Sequence, residues 1–472
     1  MSRIVFGTDG WRAIIAEDFT FANVERVAQA AAGFWAAHPP PGTRPAVIVG
    51  YDRRFLSDQF AQRVAEVLLG NGFAVTLTAQ PTPTPAVSLA VKRRRAVGGI
   101  MVTASHNPPE FNGLKLKACH GGPADGELCR MVEDLLDRKP VRRIALADAL
   151  AAGQGRRSNL GAAHLALLRR KVDLARISHA RLRVAHDAMF GVGAGCFESL
   201  LRGTRCQVTN LNARHDPLFG GINPEPVERN CHLSQAFLRQ HPQDICLVTD
   251  GDSDRIGALE GRGAYVSANE IICLLLHHLI VHRHAKGRIV KVLNTTSMMD
   301  RIAAHYGLPL TEVGVGFKYT CAEMLKGDVL MGGEESGSLG FGGHIPERDG
   351  LLAGLYLLEL LATERASVRT LLTRLEKQFG PHHYVRLDLR YPVDERPALL
   401  EFCRQNPPLR LGRSPVTRVQ AFDGVKYTAQ NGAWLMLRGS GTEPILRIYA
   451  EASTRAAALA LLRQGERMRQ PR

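Results

Sequence analysis

Three aspartates alternate in the segment DGDSDRIG, directly after the apolar run ICLVT. Asp250, Asp252 and Asp254 can converge on one point from a tight turn, where three like charges repel one another. A hard cation with oxygen ligands removes that repulsion, and the lack of a neighbouring His or Cys ligand favours Mg²⁺ over Zn²⁺. A calcium EF-hand would need glutamate at its twelfth position, where Gly261 stands. The segment therefore predicts a magnesium site, with a solvated acidic turn as the alternative.

A serine in a polar turn is the candidate nucleophile. Ser105 lies in TASHNPPEFNGLKL (103–116), after the apolar run GGIMV, and ligands usually bind where strands end in open α/β sheets. A serine hydroxyl reacts only when a base or a metal activates it. His106 is its neighbour, and Lys115 can neutralise a phosphate or shuttle a proton. Taken alone, the segment is more typical of a plain Asn-Pro turn.

Two further loops offer groups that suit a sugar and a phosphate. In GGEESGSLGFGGHIPERDG (332–350), Glu334 and Ser336 supply an acceptor and a hydroxyl for sugar hydroxyls. The glycines there let a ligand approach the backbone, although a flexible surface loop is an equal alternative. In LRGSGTEPILRIYAE (437–451), a guanidinium, hydroxyls and backbone N–H groups can hold a phosphate, although Ser-Gly-Thr turns are common. These groups belong to Arg438, Ser440, Gly441 and Thr442.

The elements that position these loops alternate between helix and strand. Helical spacing over residues 22–37 and 58–69 is interleaved with apolar strands at 45–52, 73–78 and 98–103. This order predicts a three-layer α/β domain.

The same rhythm recurs twice, so we expect one architecture to be used three times, although no residue-level repeat is visible. After about residue 380 the strands follow one another more closely, which predicts a smaller C-terminal α+β domain. The four expected domains carry the nucleophile loop, the metal loop, the sugar loop and the phosphate loop in turn. Their boundaries are placed at 1–155, 156–260, 261–380 and 381–472.

Composition narrows the class of protein. The chain has 472 residues, 45% of them hydrophobic and 22% charged, which is typical of a soluble globular protein with several domains. The longest apolar run, residues 271–280, is interrupted by two histidines and is far shorter than the ~20 residues of a membrane span. Nine cysteines without a CxxC pair favour reduced thiols in a cytoplasm.

The formal net charge of +15 has two interpretations. A basic protein can bind nucleic acid, or it can attract small anionic substrates into a cleft. The basic clusters, at residues 92–95 and 181–183, are short and lie among helix and turn signals. No RNA-binding signature or zinc-finger spacing accompanies them. We therefore expect solvated faces and no nucleic-acid partner.

The four loops, in this order, resemble those of the α-D-phosphohexomutase superfamily, which includes phosphoglucomutase, phosphomannomutase and phosphoglucosamine mutase. The segments FGTDGWR (6–12) and GYDRRFLS (50–57) add to the resemblance, which extends from Phe6 to about Glu451. It implies three similar α/β domains and a smaller fourth domain around a central cleft. It also implies a small phosphosugar as the partner of a monomer or homodimer.

The resemblance also implies a role for each matching residue. Ser105 would carry the transferable phosphoryl group, and its phosphate would join the three aspartates as a Mg²⁺ ligand. Residues that assist phosphoryl or proton transfer would be Arg12, His106 and Lys115. Substrate-binding residues would be Arg255, Lys318, Glu334, Ser336, Arg438, Ser440, Gly441 and Thr442.

The implied reaction interconverts a hexose 1-phosphate and a hexose 6-phosphate. Phosphoserine 105 would donate to the free hydroxyl, giving a hexose 1,6-bisphosphate that turns end for end and returns its other phosphate; added bisphosphate would act as an activator. The loop GEESG favours glucose, then mannose, then glucosamine. Ser338 stands where some relatives carry histidine, which departs from dual glucose and mannose specificity. A non-catalytic phosphosugar or nucleic-acid binder remains the alternative from another class.

Overall fold

Four β-sheets follow one another along the chain in the computed structural model, which describes residues 4–7, 10–439 and 444–469. The first three sheets mix parallel and antiparallel strands and alternate with helices, whereas the fourth is antiparallel. This confirms the predicted fold class of three similar α/β domains followed by a smaller α+β domain.

The first sheet has six strands in the order β1-β5-β4-β2-β3-β6. Its central strands are parallel, and β5 and β1 add antiparallel strands at one edge. The elements of this region are β1 (Trp11–Ile14), α1 (Phe21–Ala37), β2 (Arg44–Tyr51), α2 (Ser57–Gly70), β3 (Ala74–Thr78), α3 (Thr84–Arg94), β4 (Ala96–Val102), β5 (Phe111–Ala118), α4 (Gly126–Asp134), α5 (Leu146–Ala151) and β6 (Gly155–Ser158).

The second sheet has the order β11-β10-β9-β7-β8. Strands β7, β8 and β9 are parallel, and β10 and β11 are antiparallel additions. Two short 3₁₀ helices, Phe219–Gly221 and Glu228–Asn230, accompany α6 (Leu160–Arg169), α7 (Leu174–Ala180), β7 (Arg183–Asp187), α8 (Cys196–Leu200), β8 (Gln207–Leu211), α9 (His232–Gln240), β9 (Ile245–Thr249), β10 (Ile256–Glu260) and β11 (Tyr265–Val266).

The third sheet has the order β13-β12-β14-β15, again with a parallel centre and one antiparallel edge strand. Helix α10 begins with a capping box in which Ser267 and Glu270 bond each other's backbone N–H groups. The elements are α10 (Ala268–Val281), β12 (Arg288–Val292), α11 (Met298–His305), β13 (Leu310–Val313), α12 (Phe317–Met324), β14 (Val329–Gly333), β15 (Leu339–Phe341), α13 (Gly350–Glu364) and α14 (Val368–Phe379).

The fourth sheet is an antiparallel array in the order β16-β21-β20-β19-β18-β17. Its strands are β16 (His383–Arg390), β17 (Arg410–Leu411), β18 (Ser414–Gln420), β19 (Val425–Ala429), β20 (Trp434–Gly439) and β21 (Ile445–Ala452), and its helices are α15 (Arg396–Gln405) and α16 (Arg455–Met468).

One arrangement recurs in the first three sheets and explains where the candidate loops lie. A fully buried parallel strand, β4, β9 or β14, is followed by a polar loop, and an antiparallel partner, β5, β10 or β15, then leaves that loop. The loops that contain Ser105, the aspartates and Glu334 are therefore the connections of three equivalent strand pairs. The expectation of one architecture used three times is confirmed.

The predicted domain boundaries stay predictions, but the sheets themselves end slightly later than residues 155 and 260. Strand β6 pairs with β3 as far as Ser158, and β11 pairs with β10 as far as Val266. Both are edge strands, and with four and two residues they are too short to show an alternation of apolar and polar residues in the sequence.

The hydrophobic cores divide differently from the sheets. The first and fourth domains each have a core of their own. The second and third share one continuous core, in which Phe197 of α8 packs against α13 at Gly354. The third domain is therefore held to the second more extensively than to its other neighbours. Among the helices of the described residues, none is both long and apolar enough to cross a membrane.

The fourth domain contacts the third through a buried lysine. Lys426 Nζ donates to the Leu293 carbonyl at 2.6 Å and to Glu312 Oε1 at 3.1 Å, and it lies 4.5 Å from the centre of the Trp434 ring. Burial and then the neighbouring Lys291 ammonium lower the pKa of Lys426 to about 8.

This lysine makes the stability of the protein depend on alkaline pH. Between pH 8 and 10.5 the unfolded chain holds the proton more tightly than the folded one, so the free energy of unfolding rises with pH, by about 3 kcal/mol in total. This increase in the free energy of unfolding is complete above pH 10.5, the ordinary lysine pKa. It is lost as the pH falls to about 8, the pKa of Lys426 in the folded protein. A ¹³Cε-lysine NMR titration should show one lysine titrating near pH 8 that is missing in Lys426→Met, whose urea midpoint should lack the rise. A set of lysines that all titrate near 10.5 would contradict this assignment.

Candidate functional site

The backbone at Ser105 adopts an uncommon conformation. Its φ is +54°, a left-handed value that costs a non-glycine residue about 1–2 kcal/mol and therefore needs support from its surroundings. Thr103 Oγ1 accepts the Ser105 N–H at 2.8 Å, and Arg54 holds the Ser105 carbonyl. The hydroxyl donates to Asp250 Oδ2 at 2.8 Å, and His106 Nδ1 lies 3.5 Å from Ser105 Oγ. The strained turn thus aims the hydroxyl at the aspartate loop.

Arg54 fixes the whole turn that carries Ser105. Its guanidinium donates to the carbonyls of Ser105, Asn107, Pro108 and Phe111 at 2.6–2.9 Å. The side chain is completely buried, and burial lowers the pKa of Arg54 to about 10, so it remains charged at neutral pH. Sequence reasoning missed this residue, although it stands in the segment GYDRRFLS that contributed to the resemblance.

The three predicted aspartates do converge. One carboxylate oxygen from each of Asp250, Asp252 and Asp254 lies within 4.8 Å of the others, and all three residues are fully buried. Asp252 Oδ2 accepts the Thr84 hydroxyl at 2.6 Å. Among the described residues, Asp252 Oδ1 and Asp254 Oδ1 are buried without a hydrogen-bond partner. Two orphaned carboxylate oxygens beside a third carboxylate make a donor set that fits a divalent cation with oxygen ligands.

The charges around the aspartates also fit a cation. Lys115 Nζ donates to Asp252 Oδ2 and Asp254 Oδ2, both at 2.8 Å, and Arg348 Nε donates to Asp254 Oδ2 at 2.7 Å. Two cations thus face three carboxylates. Burial and then the like charges of Asp252 and Asp254 raise the pKa of Asp250 well above its usual range. A dication at this point would relieve the repulsion that contributes to the raised pKa.

The structure corrects the expected place of Lys115. Residues 103–116 form one polar loop in the sequence interpretation, but residues from Phe111 onward belong to β5. Lys115 pairs with Met101 across the ladder, and its side chain is buried beneath the aspartates. The mixed polar and apolar residues FNGLK do not alternate as a half-buried strand would. Both faces of β5 are covered, and on one face Lys115 and Lys117 pair with buried carboxylates.

Beside this cluster lies a cavity of about 470 Å³ with a strongly cationic wall. It receives side chains from all four domains, so it is the predicted central cleft. The predicted site residues that line it are Arg12, His106, Arg255, Lys318, Glu334, Ser336 and Arg438. Ser105 and the aspartates lie behind this lining and are almost inaccessible to solvent, with Ser105 only 1% exposed.

Two residues of the cavity lining, Arg12 and His106, are in contact with or part of the nucleophile loop. Arg12, on β1, donates to Asn107 Oδ1 at 2.6 Å. Burial, and then the cations Arg255 and Arg12, lower the pKa of His106 well below its usual value. The imidazole is therefore neutral at physiological pH and can accept a proton.

The sugar loop reaches the cavity through an anchored turn. Glu334 Oε1 accepts the Gly316 N–H at 2.8 Å, and burial raises the pKa of Glu334. Ser336 Oγ lies 3.1 Å from Ser338 Oγ, and Ser338 itself is fully buried. Gly337 has φ +85° and would place a Cβ 2.2 Å from the Ile256 carbonyl, so only glycine fits this close approach to β10.

Cations of the fourth domain face this loop. Arg386, on β16, forms a bidentate pair with Asp388 and lies 3.5 Å from Glu335 Oε1. Arg438 Nε donates to Asp423 Oδ1 at 2.9 Å, and Asp423 Oδ2 accepts the Val315 N–H. The predicted phosphate-binding residues Ser440, Gly441 and Thr442 lie outside the described residues.

The segment Glu347–Arg348–Asp349 was also missed and joins three domains. Glu347 pairs with Lys117 of β5 at 2.5 Å, and Arg348 bonds Asp254. Asp349 accepts from His164 at 2.6 Å and caps α13. Three consecutive charged residues between a glycine-rich loop and an apolar helix were the available signal, but the sequence does not identify partners up to 259 residues away.

Comparisons with known families agree with this arrangement along the chain. Sequence models of the phosphoglucomutase/phosphomannomutase family match four consecutive parts: α/β/α domain I at residues 3–142, α/β/α domain II at 162–263, α/β/α domain III at 267–379, and the C-terminal domain at 393–466.

Individual relatives match over almost their full length. A solved structure from Thermus thermophilus, named as a phosphomannomutase, is 34% identical, with a TM-score of 0.86 over 99% of both chains. A phosphoglucomutase/phosphomannomutase of Thermococcus kodakarensis is 28% identical over 98% of this chain and 97% of its own. A phosphoglucosamine/phosphogalactosamine mutase of Sulfurisphaera tokodaii is 28% identical over 95% of each chain. The names of these relatives differ in the sugar.

Proposed function

The chain belongs to the phosphoglucomutase/phosphomannomutase family of phosphohexomutases, and we propose that it interconverts hexose 1-phosphate and hexose 6-phosphate through phosphorylated Ser105. The observation that carries the proposal is the geometry at Ser105. The Ser105 turn has a left-handed φ and is held by four hydrogen bonds from Arg54. It places the serine hydroxyl 2.8 Å from Asp250 of the buried aspartate triad, directly behind the lining of a cationic cavity.

The proposed cofactor is Mg²⁺. Asp250, Asp252 and Asp254 would hold it together with an oxygen of phosphoserine 105, and it would supply charge neutralisation for the transferring phosphoryl group. The two orphaned oxygens of Asp252 and Asp254 support this assignment. Lys115, bonded to the other oxygen of each, fixes the direction in which those two carboxylates point.

The residues of the chain itself perform alignment and proton transfer. As the phosphoryl group leaves Ser105 Oγ for the free sugar hydroxyl, the neutral imidazole of His106 accepts the hydroxyl proton at Nδ1. The imidazolium then returns this proton to Ser105 Oγ, 3.5 Å away, so that the serine is left as a neutral hydroxyl. Arg12 and Arg255 stabilise the phosphoryl oxygens from the cavity side. Transfer then runs in reverse from the other end of the hexose 1,6-bisphosphate, after that intermediate has turned in the cavity.

The remaining cavity residues hold the substrate in both orientations. Glu334 and Ser336 would bond the sugar hydroxyls, and Lys318 and Arg438 would bind the phosphate that is not reacting, together with the loop of Ser440, Gly441 and Thr442. We favour glucose because the loop reads GEESG and because Ser338 is buried behind Ser336, where it does not line the cavity. The nine cysteines, which include no CxxC pair, support a reducing, cytoplasmic location.

Phosphorus NMR tests the function directly. Purified protein with Mg²⁺ and a trace of hexose 1,6-bisphosphate is incubated in turn with glucose, mannose and glucosamine 1-phosphates. We expect conversion to the 6-phosphate, fastest for glucose, and no conversion after chelation of Mg²⁺. Turnover of none of the three sugars would contradict the proposed function, and a faster rate with another sugar would overturn only the preference for glucose.

A further inference from the structure

A second cavity, of about 530 Å³, lies at the seam between the first and second domains. It is as large as a small-molecule site and slightly larger than the catalytic cavity. One wall comes from the connections that follow β2 and β3, with Arg53 and Gln80, and the other from helices α6 and α8. No residue used in the proposed mechanism lines it.

The lining carries positive charge without a counter-ion. It includes Arg53 and Arg169, and none of the described residues that line it is an aspartate or a glutamate. Arg53 donates to the Ala213 carbonyl at 2.9 Å, and Arg169 donates to carbonyls at the end of α8, including that of Arg202 at 3.1 Å. Neutral acceptors hold both guanidiniums in place and leave their charge intact.

The surroundings keep this charge uncompensated. Burial lowers the pKa of Arg53, and no carboxylate acts to raise it. Cys196 also lines the cavity, but burial raises the pKa of this thiol to about 12, so it is neutral at physiological pH. Half-buried cations without anionic partners are unfavourable in the free protein, and an anionic ligand would remove that cost.

Neutral polar groups and an apolar surface complete the lining. Gln80, Asn159 and Ser199 add amide and hydroxyl groups, while Pro83 and Leu165 present hydrocarbon. Behind Gly161 the buried hydroxyl of Thr82 has no hydrogen-bond partner within the described ranges, and it lies 3.4 Å from where a Cβ on Gly161 would stand. A ligand with both an anionic head and a carbon skeleton suits this combination.

We propose that the seam cavity binds a small phosphorylated organic molecule, with Arg53 and Arg169 as its cationic contacts and the proline and leucine surface against its carbon skeleton. The site is separate from the catalytic cavity, so a ligand there would not compete directly with the hexose phosphate.

Residues that line this cavity, or that are adjacent to its lining in sequence, make hydrogen bonds that position the catalytic loops. Thr84, next to Pro83, bonds Asp252 through its hydroxyl at 2.6 Å and its backbone N–H at 3.0 Å. Val192 donates its N–H to the Gly251 carbonyl at 3.0 Å, and Arg54 follows Arg53. Occupancy of the cavity is therefore expected to change turnover. That consequence rests on the proposed function, whereas binding itself does not.

Calorimetric titration with phenyl phosphate tests the binding. This probe has an anionic head and an apolar body, and it lacks a second hydroxyl that could accept a phosphoryl group. Ala166 is an exposed residue of α6 that lines the cavity, so Ala166→Glu places a carboxylate there and Ala166→Lys an ammonium. The matched control is Ala175→Glu, an exposed alanine on α7 outside the lining.

We expect Ala166→Glu to weaken one binding event roughly tenfold, as expected for one added charge near an anion. Ala166→Lys should bind at least as tightly as the wild type, Ala175→Glu should differ by less than about twofold, and phenol should not bind. Equal affinities of Ala166→Glu and Ala175→Glu, or binding seen only at sites insensitive to both, would overturn the proposal. Because this readout needs no turnover, it is independent of whether the mutase proposal holds.

Discussion

Ser105→Ala is expected to lower kcat by at least about ten-thousand-fold, because alanine has no oxygen that can carry a phosphoryl group between the two sugar positions. The substitution removes one hydrogen bond to Asp250 and leaves the anchors of the turn, Arg54 and Thr103, in place. The folded structure should therefore persist, with a free energy of unfolding within about 2 kcal/mol of the wild type. Phosphorus NMR measures the turnover of the variant and of the wild type. Peptide mass spectrometry of the phosphorylated wild-type chain tests whether Ser105 carries the phosphoryl group.

Ser253→Ala is the matched control. Ser253 is buried in the neighbouring aspartate loop with φ +58°, close to the +54° of Ser105, and its hydroxyl has no partner among the described residues. The chemical change and the backbone strain are thus the same, but no phosphoryl transfer is assigned to this hydroxyl. We expect less than about a tenfold loss. A comparable loss in both variants would point to packing, and full activity of Ser105→Ala would place the phosphoryl carrier elsewhere.

Arg54→Lys is expected to reduce kcat about a hundredfold and to destabilise the protein by roughly 3 kcal/mol. The fork of the guanidinium reaches four carbonyls at once, whereas an ammonium offers three donors from one point and cannot span them. At least one carbonyl of the Ser105 turn would lose its partner in a buried environment. The turn would relax from its left-handed conformation, and the hydroxyl would move away from the aspartates.

Urea unfolding and steady-state kinetics together test the role of Arg54. The matched control is Arg63→Lys on α2, where the arginine side chain is 30% exposed and pairs with Glu25 at 2.6 Å. A partly exposed pair contributes little, so that variant should change stability by less than about 1 kcal/mol and leave kcat unaltered. If Arg54→Lys behaved like Arg63→Lys, the assignment of Arg54 as the positioning residue of the nucleophile turn would be wrong.

Local patterns were sufficient to predict the loops and most of the elements around them. The strands β4 and β9 are runs of apolar and β-branched residues, and the aspartates and Ser105 follow them directly, so both loops could be placed at strand ends. Strand β5 could not be recognised, because its charged Lys115 and Lys117 point at buried carboxylates contributed by other domains. A buried lysine looks like a solvent-facing residue until its partner is known.

The residue types that could do chemistry, their order along the chain and the kind of loop that carries them were predictable from the sequence alone. This information is local, since strand periodicity and the spacing of Asp250, Asp252 and Asp254 involve only neighbours along the chain. The surroundings of these residues are visible only in three dimensions. They include the four carbonyls that accept from Arg54, the cations that pair with Asp254, and the second cavity between Arg53 and Arg169. Burial and Coulomb interaction depend on distance in space, and the residues concerned are separated by up to 139 positions along the chain.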